Sequence, residues 1–97
     1  MTIFEATIKA FERYETLLKS KGIKSQNLAD AQLPINKMLP HALFMCETTI
    51  KKMKAGPYAI DKANRWLGFV QAIIIFNNLS TIEEERNQTR PWLTSSL

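Results

Sequence analysis

Few residues of this chain carry side chains that could act as nucleophiles, acid–base groups or metal ligands. The single histidine is His41 and the single cysteine is Cys46. A metal site needs several Cys, His or carboxylate ligands at workable spacing, and none accompany His41 in the sequence. Cys46 shares an apolar stripe with Leu43 and Ile50, where a thiol behaves as a small hydrophobic group. We therefore expect His41 to be an exposed side chain in the first turn of a helix, and Cys46 to be a core residue.

Three consecutive acidic residues, Glu83, Glu84 and Glu85, could also suggest acid–base or metal chemistry. Neighbouring residues on a helix point about 100° apart, so these carboxylates cannot converge on one ion. They follow a capping-box pattern, Ser80-Thr81-Ile82-Glu83, and acidic residues in a first turn favour the helix dipole. We interpret all three as solvated residues at the start of a short C-terminal helix. The sequence also lacks a Ser-His-Asp set and a glycine-rich phosphate loop, so we expect no catalytic residues, no cofactor and no metal.

Basic residues near a helix–helix corner form a candidate anion-binding patch. The patch comprises Lys51, Lys52, Lys54, Lys62 and Arg65, and Tyr58 is close enough to add an aromatic face. With a net charge of +4 on the chain, such a cluster could hold a nucleotide or a nucleic-acid backbone. The alternative is that the three lysines simply complement the dipole of a helix C-terminus. No helix-turn-helix, zinc or RNA-binding motif supports nucleic-acid binding.

The most apolar stretch, residues 57–78, predicts a central helix. One face carries the 3-and-4 spacing of a core stripe, with Trp66, Val70 and Ile73 among its members. The opposite face begins polar and ends apolar, which is more typical of a subunit or partner interface than of a solvated surface. We predict that Gly68, Gln71, Ile75 and Phe76 contact a partner or a second copy of the chain in a homo-oligomer.

The remaining elements are also helical. A capping box at Thr2 and Glu5 begins a first helix that runs to about Lys21 and stops at Gly22. After an irregular stretch, a second helix runs from near Pro40 to Lys54, with an apolar seam of Leu39, Leu43, Cys46, Ile50 and Met53. Gly56-Pro57 then forms a corner at which Pro57 opens the central helix, giving an antiparallel hairpin. Pro91 ends the short last helix.

The sequence thus predicts one all-α domain over residues 1–97, a small bundle of three main helices plus a short C-terminal helix. A lone cysteine and the absence of a signal-peptide pattern are typical of a cytoplasmic protein. The longest apolar run is about half of the ~20 residues that a membrane span requires, so we expect no membrane association.

Three blocks of the sequence resemble small cytoplasmic proteins of tailed bacteriophages. They are Pro40–Glu47, Lys62–Gln71 with its R-W-L-G-F-x-Q string, and Ser80–Glu83, and the likeness covers roughly the last two-thirds of the chain. The resemblance implies a phage accessory protein, acting in the host cell cytoplasm, that binds a host protein and inhibits or redirects it in host takeover or anti-defence. We take this as the leading functional hypothesis, and an anion-binding module for nucleic acid or a nucleotide messenger as the alternative.

Overall fold

The computed structural model describes residues 2–28 and 35–88. Helix α1 is Ile3–Ser20, a 3-10 turn at Ile35–Lys37 leads into α2 at Met38–Ala55, and α3 is Ile60–Phe76. A short helix, α4, begins at residue 82 and is described through residue 88. The described residues contain no strand, and the predicted all-α bundle of three main helices and a short last helix is confirmed. The predicted stop at Pro91 lies outside the described residues.

Local sequence signals determine both ends of α1. The Thr2 hydroxyl accepts the Glu5 backbone N–H at 3.0 Å, while the Glu5 carboxylate accepts the Thr2 N–H at 3.4 Å. At the other end Gly22 adopts φ +76°, a left-handed conformation that glycine adopts without steric cost. The Ile23 N–H then returns to the Leu18 carbonyl at 3.2 Å, which closes the helix. The predicted capping box and glycine stop are confirmed.

The core lies where α1, α2 and α3 meet. It contains Phe11, Tyr14 and Leu18 from α1, the predicted α2 seam, and α3 residues that include Val70 and Ile74. Of the seam, Leu43, Cys46, Ile50 and Met53 are buried and Leu39 packs against them. These apolar contacts dominate the stability of a bundle of this size.

Cross-helix contacts give the direction of each helix. Lys54 pairs with Glu12 at 3.0 Å and Lys19 with Glu47 at 3.7 Å, so α2 runs antiparallel to α1. Thr7 and Asn64 are hydrogen-bonded at 3.3 Å, and Tyr14 interacts with Gln71, so α3 runs parallel to α1. The chain therefore goes up, down and up through the three helices, and α2 and α3 form the predicted antiparallel hairpin.

The predicted start of α2 near Pro40 is confirmed, and the predicted start of α3 is wrong. Helix α2 begins at Met38, where the preceding 3-10 turn continues directly into the α-helix. Pro40 is still tolerated, since its missing N–H falls within the first turn. Pro57 does not open α3: residues 57–59 are outside the helix, and Ala59 is its N-cap without a side-chain hydrogen bond. This non-helical stretch lets Tyr58 pack against the core.

The cap of α4 is displaced by one residue from its prediction. The Thr81 hydroxyl, not that of Ser80, accepts the backbone N–H of the third helical residue, Glu84, at 3.0 Å. Ser80 instead directs its hydroxyl to Glu84 and Glu85. Helix α4 therefore starts one residue later than predicted. Among the described helices, none is both long enough and apolar enough to cross a membrane.

Candidate functional site

An open cleft of about 400 Å³ lies between α2 and α3. Because the two helices are antiparallel, the first half of α2 faces the middle of α3. The cleft is lined by His41, Phe44, Met45, Arg65, Trp66 and Phe69. The rings of His41 and Phe44 stack with centroids 5.9 Å apart, so the α2 wall is a flat aromatic surface. The volume of the cleft falls within the lower range of small-ligand pockets.

The outer surface of α3 continues this cleft as an exposed stripe, which we call the Phe69 face. Its members recur at helical spacing and are all exposed: Arg65, Gly68, Phe69, Ala72 and Phe76. The side chains of Phe69 and Phe76 remain 46% and 63% exposed. A Cβ added to Gly68 would meet no atom within 4 Å, so the surface beside these rings is open. The Phe69 face thus presents two large exposed aromatic residues seven positions apart.

The four residues predicted for a partner interface divide between two sides of α3. Gly68 and Phe76 belong to the Phe69 face. Gln71 and Ile75 are half-buried on the side toward α1, where Gln71 interacts with the Tyr14 hydroxyl. The open surface is therefore centred nearer to Phe69 than the sequence pattern indicates. Phe69 was visible in the sequence as a flanking apolar residue of the central helix.

The five residues of the predicted anion patch make different local contacts. Lys54 pairs with Glu12 of α1 at 3.0 Å. Lys62 lies over the Tyr58 and Trp66 rings, at 6.0 and 5.6 Å from their centroids. Arg65 lines the cleft, and Lys51 and Lys52 are exposed near the end of α2. The patch is therefore a set of separate contacts around the helix corner, of which Arg65 and Lys62 adjoin the cleft.

His41 is a half-buried cleft residue and not the exposed first-turn side chain that was predicted. Its Nδ1 atom accepts the backbone N–H of Leu28 at 3.2 Å, so the ring proton of the neutral imidazole resides on Nε2. The neighbouring Gln26 N–H donates to the Pro40 carbonyl at 3.1 Å. These two bonds fasten the segment after α1 to the start of α2. Separated by thirteen positions in sequence, Leu28 and His41 form a pair that local periodicity does not reveal.

Glu85 also differs from its prediction, because it is buried rather than solvated. It retains 2% of its accessible surface. Its carboxylate accepts from the Arg13 guanidinium at 2.5 Å and from the hydroxyls of Tyr14 and Ser80. A signal was present in the sequence: Tyr14 lies on the core stripe of α1, and a buried tyrosine hydroxyl needs a hydrogen-bond partner. Glu83 and Glu84 remain exposed, as predicted.

This network changes how its members ionise. Burial of the Glu85 carboxyl opposes its ionisation, but hydrogen bonds from Arg13, Ser80 and Tyr14 outweigh burial and lower its pKa below the ordinary value. Burial and the adjacent Glu85 carboxylate raise the pKa of Tyr14 far above its ordinary value. The network thus holds a carboxylate against a protonated phenol, and it joins α4 to α1.

Cys46, the single cysteine, is the remaining side chain with possible nucleophilic chemistry. Cys46 is a buried core residue, and its pKa is raised to about 12 by burial, with smaller contributions from Glu15 and Glu47. Its thiol is therefore protonated at neutral pH and shielded from substrates. Within residues 2–28 and 35–88, no three His, Cys, Asp or Glu side chains are grouped as a metal site.

No protein-family model, curated protein or solved structure matches this chain.

Proposed function

We propose that this protein binds another protein through the Phe69 face and the adjoining cleft, and that it does so without catalysis. The observation that carries the proposal is the pair of exposed rings, Phe69 and Phe76, on one side of α3. Burying a large apolar side chain contributes roughly 1.5–3 kcal/mol. With each ring about half exposed, docking of both would contribute about half of that value for each ring.

The aromatic character of the site favours a protein partner over an anion. Interface centres are enriched in aromatic residues, methionine and arginine, and the cleft combines Phe44, Trp66 and Phe69 with Met45 and Arg65. The basic residues of the alternative anion site are dispersed, and Lys54 is already paired with Glu12. The resemblance to phage proteins supports a bacterial host protein as the partner, which this protein would inhibit or redirect.

Affinity capture from a bacterial lysate tests the proposal. The tagged full-length chain is compared with Phe69→Asp/Phe76→Asp and with Ile82→Asp, which replaces a 64% exposed isoleucine on α4. We expect at least one host protein to be retained by the wild type and by Ile82→Asp, and lost from the double variant. Nuclease treatment should leave that protein in place. Circular dichroism must show that all three proteins are folded.

Two results would contradict the proposal. One is a capture profile that the Phe69→Asp/Phe76→Asp variant leaves unchanged. The other is loss of every captured protein after nuclease treatment, which would instead favour the nucleic-acid alternative.

A homo-oligomer would use the same exposed rings, and it is tested separately. Light scattering of the wild type at increasing concentration should show a mass above 11.1 kDa if copies associate. Phe76→Asp is a cleaner disruption than Ile75→Asp, because Ile75 is half-buried and its replacement would also disturb the fold. An unchanged monomer at high concentration would remove the oligomer hypothesis.

A further inference from the structure

We infer that the partner segment is an acidic amphipathic helix, with two apolar residues seven positions apart and a carboxylate four positions beyond one of them. This inference rests on the proposed function and specifies the partner of the same site. Its two parts, charge and spacing, come from different observations.

The charge of the site calls for a carboxylate. Among the described residues that line the cleft, Arg65 is cationic and none is acidic. Lys62 lies beside it, over the Trp66 ring. Within the described part of the chain, neither Arg65 nor Lys62 forms an ion pair, although Asp61 lies one helical turn before Arg65. An arginine that flanks an apolar cleft is suited to a bidentate contact with a carboxylate.

The acidic residues of the neighbouring helices do not neutralise this end of the cleft. Glu47 of α2 pairs with Lys19, and Glu12 of α1 pairs with Lys54. Both pairs lie on the α1 side of α2, away from the residues that line the cleft. Binding of an acidic segment would therefore supply a counter-charge to Arg65 without displacing an ion pair formed among residues 2–28 and 35–88.

The spacing of the face calls for a helix. Phe69 and Phe76 are seven residues apart on α3, which corresponds to about 10 Å along its axis. Residues i and i+7 of a partner helix lie on one face and are separated by the same distance. One apolar residue of such a pair can enter the cleft beside Phe69 while the other contacts the ring of Phe76. Arg65 lies four residues before Phe69, about 6 Å further along the same line. The partner's carboxylate therefore belongs four positions beyond its cleft residue.

A second copy of this chain fits these requirements less well. Its own α3 would bring another Arg65 and Lys62 to the contact, with Asp61 as the single acidic residue of that helix. Charge complementarity thus favours a heterologous acidic helix over self-association. Nucleic acid would satisfy the charge, but it would leave the apolar spacing of Phe69 and Phe76 without a purpose.

A yeast-displayed peptide library, with the full-length chain as bait, tests the inference. Each peptide has 16 residues on an Ala/Gln helical background and is randomised at positions spaced three and four residues apart, so that the varied side chains share one face. Enriched clones should carry Leu, Phe or Trp at two positions seven apart and Asp or Glu four positions beyond. Arg65→Glu should weaken the best clone at least tenfold, about 1.4 kcal/mol. Lys51→Glu, an equal charge change at an exposed position outside the cleft, should change binding less than twofold. Replacing the clone's acid with lysine should restore binding to Arg65→Glu.

The outcomes separate the inference from the proposed function. Enriched clones that need Phe69 and Phe76 but show no acidic preference would overturn the inference and leave the proposed function standing. Equal losses from Arg65→Glu and Lys51→Glu would also overturn it, since they indicate general electrostatic attraction. Absence of any clone that depends on Phe69 would contradict both. A dimer formed through the face that excludes the peptides would identify a second copy as the occupant and refute the acidic helix.

Discussion

Removal of the Glu85 carboxylate is the sharpest test of the structure. In the fold, this 2% exposed carboxylate accepts hydrogen bonds from Arg13, Tyr14 and Ser80. Deleting one partner of a buried ion pair costs roughly 3–5 kcal/mol, because the other charge is left uncompensated. The Arg13 side chain keeps 32% of its exposure and can recover some hydration. We therefore expect Glu85→Ala to lower the free energy of unfolding by about 3 kcal/mol, near the bottom of that range.

Urea unfolding followed by circular dichroism measures this change, and neighbouring variants provide the controls. Glu83→Ala removes an exposed carboxylate from the same helical turn and should cost less than about 1 kcal/mol. Tyr14→Phe should cost about 1 kcal/mol by itself. The double variant Glu85→Ala/Tyr14→Phe should cost less than the sum, since the phenol no longer lacks an acceptor. A cost for Glu85→Ala equal to that for Glu83→Ala would refute the buried network.

The same network predicts the acid dependence of stability. The folded pKa of Glu85 lies below its ordinary value of 4.5, so the folded state binds fewer protons there than the unfolded state. The contribution is therefore fully present above the ordinary carboxyl pKa, and it is lost as the pH falls through the folded pKa. The stability difference between wild type and Glu85→Gln should narrow below pH 4.5. A difference that stays constant to pH 2 would contradict the ionised carboxylate.

Three further outcomes are expected. Cys46 of the native protein should resist maleimide labelling at pH 8, because burial raises the pKa of its thiol to about 12. In urea it should react fully, as measured by mass spectrometry. Labelling at equal rates in both conditions would contradict its burial. Gly22→Ala should lower the free energy of unfolding in urea by about 1 kcal/mol, since alanine resists φ +76°. Lys21→Ala is the control variant. Equal free energies of unfolding for the two variants would refute the left-handed cap. His41→Phe should preserve ring packing but accelerate amide exchange at Leu28, measured by NMR; unchanged exchange there would show that the Nδ1 bond is absent.

Features that depend on neighbouring residues were predictable from the sequence. The Thr2 capping box, the Gly22 stop and the α2 seam each depend on residues within one element, and each is found as predicted. The start of α3 could not be predicted from the sequence, because proline is compatible with both a first helical turn and an extended segment. In the fold, Pro57 lies in a non-helical segment, and the next residue, Tyr58, packs against the core.

The candidate site was only partly predictable, because it is made by contacts between distant elements. Periodicity placed Phe76 and Gly68 on an open side of α3, but it could not show that Gln71 meets Tyr14 of α1. The cleft needs α2 and α3 in a specific register, which no local pattern specifies. Glu85 was misassigned for the same reason: its partners on α1, Tyr14 and Arg13, lie 71 and 72 residues away, and nothing in the acidic run distinguishes it from Glu83.

The Glu85 network also has a consequence for folding kinetics. Contacts between α1 and α2 and between α2 and α3 join consecutive helices, so they form with little loss of chain entropy. Attachment of α4 joins residues that are 71 and 72 positions apart in sequence, so it depends on prior packing of α3 against α1. We therefore expect α4 to dock last during folding and to detach first, as one cooperative unit. Its backbone amides should exchange with solvent through this partial opening, while the amides of Val70 and Ile74 should exchange only through global unfolding.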